Sequence, residues 1–279
     1  SKAQLKKGHL WLTFSDGEAS ITGVIWSSRL EKLSYRPSEG DGVSVIGKIN
    51  FWKARASLAV QVLDIRPSLA AVLRQFEVVS QLLLHEGLID ESKRRSLPLY
   101  PKKIAIFTSD PSSALADILR TAKERWPLTS LVIVSIPVQG DVSKEICLAL
   151  SNLAEKYQDL GIEAVVLARG GGSREDLMVF DNELLCRKLA SFPIPIVTGI
   201  GHEDDLTVAD LVADHSAATP TAAIVKLLPS REIERTNLIQ MNQRLNDYCR
   251  WLIIRERHRL EQRQDGLVHL SPLAKIKNS

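Results

Sequence analysis

Three short runs concentrate the side chains able to do chemistry. The first is Ala168-Arg169-Gly170-Gly171-Gly172-Ser173. Consecutive glycines let a backbone approach a ligand closely and offer N–H donors with no side chain in the way. Arg169 adds a permanent, planar charge that fits a phosphate bidentately. The second run is Gly201-His202-Glu203-Asp204-Asp205, an imidazole beside three carboxylates. His202 titrates near neutrality and suits general acid–base work, with Asp205 three residues on to orient it. Histidine with carboxylates is equally ordinary metal-ligand chemistry, and the residue types leave both readings open. The third run is Thr108 to Ser113, followed by Asp117. Its hydroxyls and free N–H groups at a helix start suit a phosphate, or simply cap the helix. Asp210 and Asp214, four apart, are predicted to share a helix face.

The elements that must position these runs are legible from periodicity. Ile104-Ala105-Ile106-Phe107 is a continuous apolar run, and Leu131–Ile136, Ala164–Ala168 and Ile194–Ile200 are nearly so. Helical patterns lie between them, near 112–125, 142–158 and 181–190. Buried strands alternating with helices predict a parallel sheet covered on both faces. Ligands of such sheets bind beyond the carboxyl ends of the strands, where all three runs fall. This α/β domain is placed at 101–229.

Residues 1–66 read as all-β. Runs at 9–14, 19–26, 43–49 and 58–65, with an Asp16-Gly17 hairpin turn, predict a small barrel of the OB type. Such a barrel has five strands and only four are counted. Ser1 stands where an initiator methionine would, so the first strand is expected to be missing. Residues 67–100 are read as a helical linker, with a helix over 69–87. Residues 230–279 are read as a helical, truncated coiled-coil-like segment. Its seam at Leu238, Met241, Leu245, Tyr248 and Leu252 is interrupted at Arg255.

The composition excludes little. With 279 residues and 44% hydrophobic content the chain can bury a sizeable core in two domains. The net charge of +3 says little about partners, although residues 1–66 hold ten Lys or Arg against six Asp or Glu. Three cysteines, none in a CxxC pair, suit a reducing compartment. No apolar run approaches a membrane span, so a cytoplasmic protein without membrane contact is expected.

Several blocks together resemble one family. Arg169-Gly170-Gly171-Gly172-Ser173 with Glu175-Asp176-Leu177, and Gly201-His202-Glu203-x-Asp205 with Thr207, Asp210 and Asp214, are similar to the large subunit of exodeoxyribonuclease VII. Ser113-Ala114 with Asp117, Val138-Gln139-Gly140-Asp141, Ala218-Thr219-Pro220-Thr221 and, more loosely, Gly8 to Phe14 fit the same pattern. The resemblance implies an exonuclease that cleaves single-stranded DNA from either end to short oligonucleotides with 5′-phosphates. It implies small helical subunits as partners and no strict cofactor, with Mg2+ as an optional ion. The residues matching the family's catalytic positions are Asp117, Arg169, His202 and Asp205. Gly170, Gly171, Gly172 and Ser173 are then expected to bind phosphate. Trp11 and Trp52 would stack bases while Lys48, Lys53 and Arg55 track phosphates. Two rival readings are a non-catalytic single-strand-binding protein and an α/β enzyme acting on a phosphorylated small molecule. The barrel favours an oligonucleotide over a small molecule, and the His–carboxylate cluster favours hydrolysis over binding alone.

Overall fold

The computed structural model describes residues 3–30, 33, 35–53, 56–137, 142–171, 174–201 and 205–270. The chain separates into two compact units, Ser1–Leu228 and Pro229–Ser279.

The first unit begins with five strands: β1 (Ala3–Lys6), β2 (His9–Ser15), β3 (Ser20–Ile25), β4 (Val43–Trp52) and β5 (Ser57–Pro67), with a single helical turn α1 (Ser27–Leu30) after β3. Their order is β1-β2-β3-β5-β4. The pair β3–β5 is parallel and the others antiparallel. The expectation of a missing strand is corrected: β1 pairs with β2 from Ala3↔Leu12 to Lys6↔His9. Four polar-rich residues, Ala-Gln-Leu-Lys, show no alternation strong enough to mark this edge strand in sequence. Leu12, Ile25, Val62 and Ile65 form the buried centre. Strand β4 shifts register between Ile46 and Gly47. A Cβ at Gly47 would lie 2.6 Å from Val60 and 2.8 Å from the Gln61 carbonyl, so only glycine permits this bulge.

The α/β part holds β6 (Lys103–Thr108), β7 (Ser130–Ser135), β8 (Ala164–Ala168), β9 (Ile196–Gly199) and β10 (His215–Ser216) in the order β10-β9-β8-β6-β7. Every pairing is parallel, as the alternation of strands and helices requires. Strand β8 is central and all five of its residues are buried. Its run of small and β-branched residues suits helices on both sides. One face carries α2 (Leu69–His85), α4 (Ser143–Leu160), α5 (Glu183–Ala190) and α6 (Val208–Val212), packed on Ala105, Phe107, Val165 and Leu167. The other carries α3 (Ser113–Arg125) and α7 (Pro220–Leu227), packed on Ile104, Ile106, Val166 and Val197.

Local chemistry sets the helix boundaries. Ser112, Asn182 and Thr219 each cap a helix by accepting an N–H from three residues on, and Pro220 follows Thr219 at the first helical position. Gly161 ends α4 at φ 66°, the left-handed conformation that glycine adopts without cost.

Segment 67–100 is more than a linker. Val79 and Leu83 of α2 are buried in the same apolar cluster as Phe107 and Ile146. Arg95 reaches further: its backbone N–H and both arms of its guanidinium bond the Asp214 carboxylate at 2.7–2.9 Å. Asp214 also accepts the Ile196 N–H at 2.7 Å. The shared helix face predicted for Asp210 and Asp214 does not form, because α6 ends at Val212. Asp210 instead closes a capping box with Thr207. Both acids thus serve the fold.

The second unit is α8 (Arg231–Leu270), a single helix of 40 residues. Arg255 interrupts the apolar seam but not the helix, because arginine is a good helix former. Leu238, Met241, Leu245 and Tyr248 stay exposed along it. Among the described residues no helix is long and apolar enough to cross a membrane.

Removing the buried Asp214 carboxylate leaves the Ile196 and Arg95 N–H groups without their acceptor and the part-buried Arg95 guanidinium without its counter-charge. Asp214→Ala is expected to cost about 3–5 kcal/mol and to lower the thermal midpoint by roughly 10 °C. Thermal unfolding of the purified variant reads this directly.

Candidate active site

The loops after β8 and β9 meet in a small cleft of about 60 Å3. Its walls include Arg169 and Gly171 from the first loop, and Ile200, Gly201 and Asp205 from the second. Leu177 closes one side, and Thr219 and Pro220 at the start of α7 close another. The two strongest runs in the sequence therefore share one site. Parallel neighbours make this unavoidable: Ala168 pairs with Gly199, so both chains leave the sheet side by side. The Arg169 N–H continues the ladder by bonding the Gly199 carbonyl at 3.1 Å.

Arg169 is the most unusual residue of the chain. Its side chain is only 2% exposed, and among the described residues its nearest counter-charge is Asp176 at 3.3 Å. Among the described residues neither terminal guanidinium nitrogen finds a hydrogen-bond acceptor. Burial pulls the affinity of this guanidinium for its proton below the usual arginine value, and Asp176 opposes that pull. Buried donors without acceptors are costly and rare in folded proteins, and here the four N–H bonds of the two terminal nitrogens adjoin a cleft.

The glycines beside Arg169 are not explained by packing. Among the described residues a Cβ at Gly171 would meet nothing within 4 Å, and one at Gly170 would reach Ala114 at an ordinary 3.5 Å. Neither adopts a positive φ. The fold tolerates side chains at both, so the open space over their amides is left for something else. Gly199 and Gly201 differ. A Cβ at Gly199 would stand 2.8 Å from the Thr219 carbonyl, and one at Gly201 would stand 3.1 Å from both the Asp205 carbonyl and Leu177. These two glycines are structural.

The contact at Gly170 also fixes where α3 begins. Ser113 and Ala114, at the first turn of this 13-residue helix, lie beside Gly170. Its positive end therefore faces the glycine loop, as the hydroxyl-rich run after β6 suggested. Asp117 is one turn further along. Its carboxylate bonds Arg120 at 2.7 Å, is about half exposed, and is not part of the cleft wall. Asp205, by contrast, lines the cleft, and no described cation pairs with it. His202, Gly172 and Ser173 lie outside the described residues.

Of the five positions assigned to DNA in the barrel, four lie among the described residues. Trp11 and Trp52 touch edge to face at 5.4 Å and are half-buried, while Lys48 and Lys53 are exposed. Arg55 lies outside the described residues. Phe51 and Leu58 face each other across β4 and β5 and are 59% and 55% exposed, as is Ile49 at 70%. Phe51 and Leu58 line a groove of about 1210 Å3 on this sheet. A second cleft of about 600 Å3 lies between barrel and α/β part, with Arg36, Arg66, Gln75 and Asp176 among its walls. Among the described residues no cluster of three His, Cys, Asp or Glu side chains has metal-site geometry.

Asp176 entered the sequence reading only within the Glu175-Asp176-Leu177 block, and Asp181 only as the start of the 181–190 helical pattern. In the structure Arg174–Asp181 forms a 3-10 segment that turns Asp176 back onto Arg169. Nothing in the spacing of an arginine and an aspartate seven apart signals that return.

Comparison with known proteins agrees with this architecture. Residues 88–279 match the family described as exonuclease VII, large subunit, and residues 1–66 match the OB-fold nucleic acid binding domain. The exodeoxyribonuclease 7 large subunit of Synechococcus sp. (strain CC9605) is 64% identical over 276 residues, which cover 99% of this chain and 71% of the relative. That of Synechococcus sp. (strain CC9311) is 62% identical over 272 residues, or 98% and 70%. A distant relative from Carboxydothermus hydrogenoformans is 37% identical over 88% of this chain and 52% of its own length.

The glycines supply a test that needs no activity. Gly171→Ala is expected to unfold within a degree or two of the parent protein, because its methyl enters open space. Gly199→Ala is expected to lose about 1–3 kcal/mol through collision with the Thr219 carbonyl. Parallel thermal melts distinguish the two.

Proposed function

This chain belongs to the exonuclease VII large-subunit family, and from that premise we propose that it hydrolyses the phosphodiester bonds of single-stranded DNA. Cleavage from either end yields short oligonucleotides with 5′-phosphates. The observation that carries the reading is the buried Arg169 guanidinium with its terminal donors unpaired, facing a cleft shared with Gly171 and Asp205. A phosphate oxygen is the acceptor such donors lack.

The chemistry follows from the order of these groups. The Gly170 and Gly171 amides and the start of α3 hold the scissile phosphate, and Gly172 and Ser173 continue that loop in sequence. Arg169 stabilises the charge that grows on the phosphoryl oxygens as water attacks. Such preorganised donors act most strongly where water is excluded, as at this nearly buried side chain. His202, between Gly201 and Asp205 in sequence, moves the proton: it takes one from the attacking water or gives one to the leaving oxygen. Asp205 orients it. Asp117, held by Arg120, serves from the rim, to orient water or an optional Mg2+ ion. A protein that only bound single strands would have no use for a buried guanidinium beside a carboxylate cleft.

The barrel presents the strand. Exposed Phe51, Ile49 and Leu58 offer apolar surface to bases on one face of the sheet, while Lys48 and the Trp11–Trp52 pair lie on the other. Stacking with charge is how such folds hold single strands without reading sequence. The exposed seam of α8 supports small subunits as the protein partner. Three cysteines without a disulfide suit the cytoplasm.

The experiment incubates the chain, with its small subunit, with end-labelled single-stranded and duplex DNA. Only the single strand is expected to shorten to oligonucleotides. His202→Ala is expected to slow this by about 10²–10⁴-fold, and Arg169→Lys by about 10²–10³-fold. Activity surviving EDTA would leave the proton-transfer route; its complete loss would make a cation obligatory. An assembled wild-type complex inert on single strands would overturn the assignment.

A further inference from the structure

The 3-10 segment Arg174–Asp181 carries a second ion pair that the proposed chemistry does not use. Arg174 bonds the Asp181 carboxylate at 2.7 Å, with Asp181 fully buried and the Arg174 side chain 11% exposed. The other Asp181 oxygen accepts the Val208 N–H, the first of α6, at 2.9 Å. The Asp181 carbonyl accepts Gln75 of α2 at 3.2 Å, and the Arg174 guanidinium lies 5.7 Å over the Phe76 ring. One carboxylate thereby ties the segment to the helix that follows the Gly201–Asp205 loop. Between the two members of this clamp, in sequence, stands Asp176.

Asp176 differs from Asp181 in a telling way. Asp181 takes its arginine in a close, aligned hydrogen bond. Asp176 approaches Arg169 at 3.3 Å and leaves both terminal nitrogens of that guanidinium without an acceptor. A close bidentate carboxylate would occupy the donors and compete with a phosphate. A looser one compensates the buried charge and still leaves the donors free. Asp176 is 24% exposed and lines the cleft that leads from the barrel, so it sits between the route of entry and the reacting site.

We propose that Asp176 is a positioning residue of the nuclease: it holds the Arg169 guanidinium in the pose that receives the scissile phosphate, and the Arg174–Asp181 clamp holds Asp176 in place. The inference rests on the nuclease reading above and adds to it the residue that keeps the arginine both charged and available.

The test uses the full-length chain assembled with its small subunit on end-labelled single-stranded DNA. Asp176→Asn keeps the volume and removes the charge. It is expected to lower kcat by about 10–100-fold, with KM changed less than threefold and the thermal midpoint within a few degrees. Asp176→Glu, which restores the charge, is expected to recover part of the rate. In an Arg169→Lys background Asp176→Asn is expected to add little further loss, because the two act through one group. Asp181→Asn is expected to reproduce the Asp176→Asn loss in kcat, with a lower thermal midpoint as well. Wild-type kcat in Asp176→Asn, or losses that multiply in the double variant, would overturn the inference. Wild-type enzyme inert on single strands would overturn the nuclease reading and this inference with it.

Discussion

A guanidinium taken almost wholly out of water at the end of a buried strand is the constraint on which the rest of this site depends. Desolvating such a charge is costly unless something compensates it. Here the compensation is partial: one carboxylate at 3.3 Å and no hydrogen bond to the terminal nitrogens. The charge of Arg169 is therefore only partly compensated by the described side chains around it. The fully buried strand β8 keeps Arg169 from retreating to solvent, and the Gly199 carbonyl pins its backbone. Leu177 and Asp176 of the 3-10 segment and Thr219 and Pro220 at the α7 cap then border the same cleft or pair with the side chain.

The carboxylates of the same region divide by environment. Asp181, Asp210 and Asp214 are buried and bonded to backbone N–H groups, where they fasten helix starts and strand edges. Burial pushes the Asp181 carboxyl upward, while Arg174 and the Val208 N–H hold it down. Asp205 and Asp176 are only partly buried and face clefts. The first group holds the loops that carry the second. A nuclease needs this division, because its reactive groups must be accessible to a polymer and yet fixed to fractions of an ångström.

The two folded parts of the first unit suit one substrate. The barrel sheet exposes apolar and aromatic side chains on β4 and β5, which a soluble protein bears at a cost unless they meet bases or a partner. The α/β part offers a small cleft of about 60 Å3 lined by Arg169, Gly171 and Asp205. Under the proposed function, stacking on one part and phosphate capture on the other would let the protein take a single strand by its chemistry rather than its sequence.

Much of this was legible in the sequence. The parallel sheet with helices on both faces, the barrel before it and the helix after it all follow from hydrophobic periodicity, and strand-end loops followed from that sheet. Arg169, Gly171 and Asp205 were marked by residue type and by their position after strands. The sequence could not show which carboxylates reach the site, because that is set largely by distant partners: Asp214 meets Arg95 across 119 positions. Nor could it show β1, whose four residues are held as a strand mainly by pairing with β2. Asp176 was visible only as part of a motif, since its meeting with Arg169 depends on a 3-10 path that leaves no period. Local periodicity and strand-end chemistry were written in the chain itself. The division of acids into structural and reactive was decided by tertiary packing, because burial and charge pairing arise only when distant segments meet.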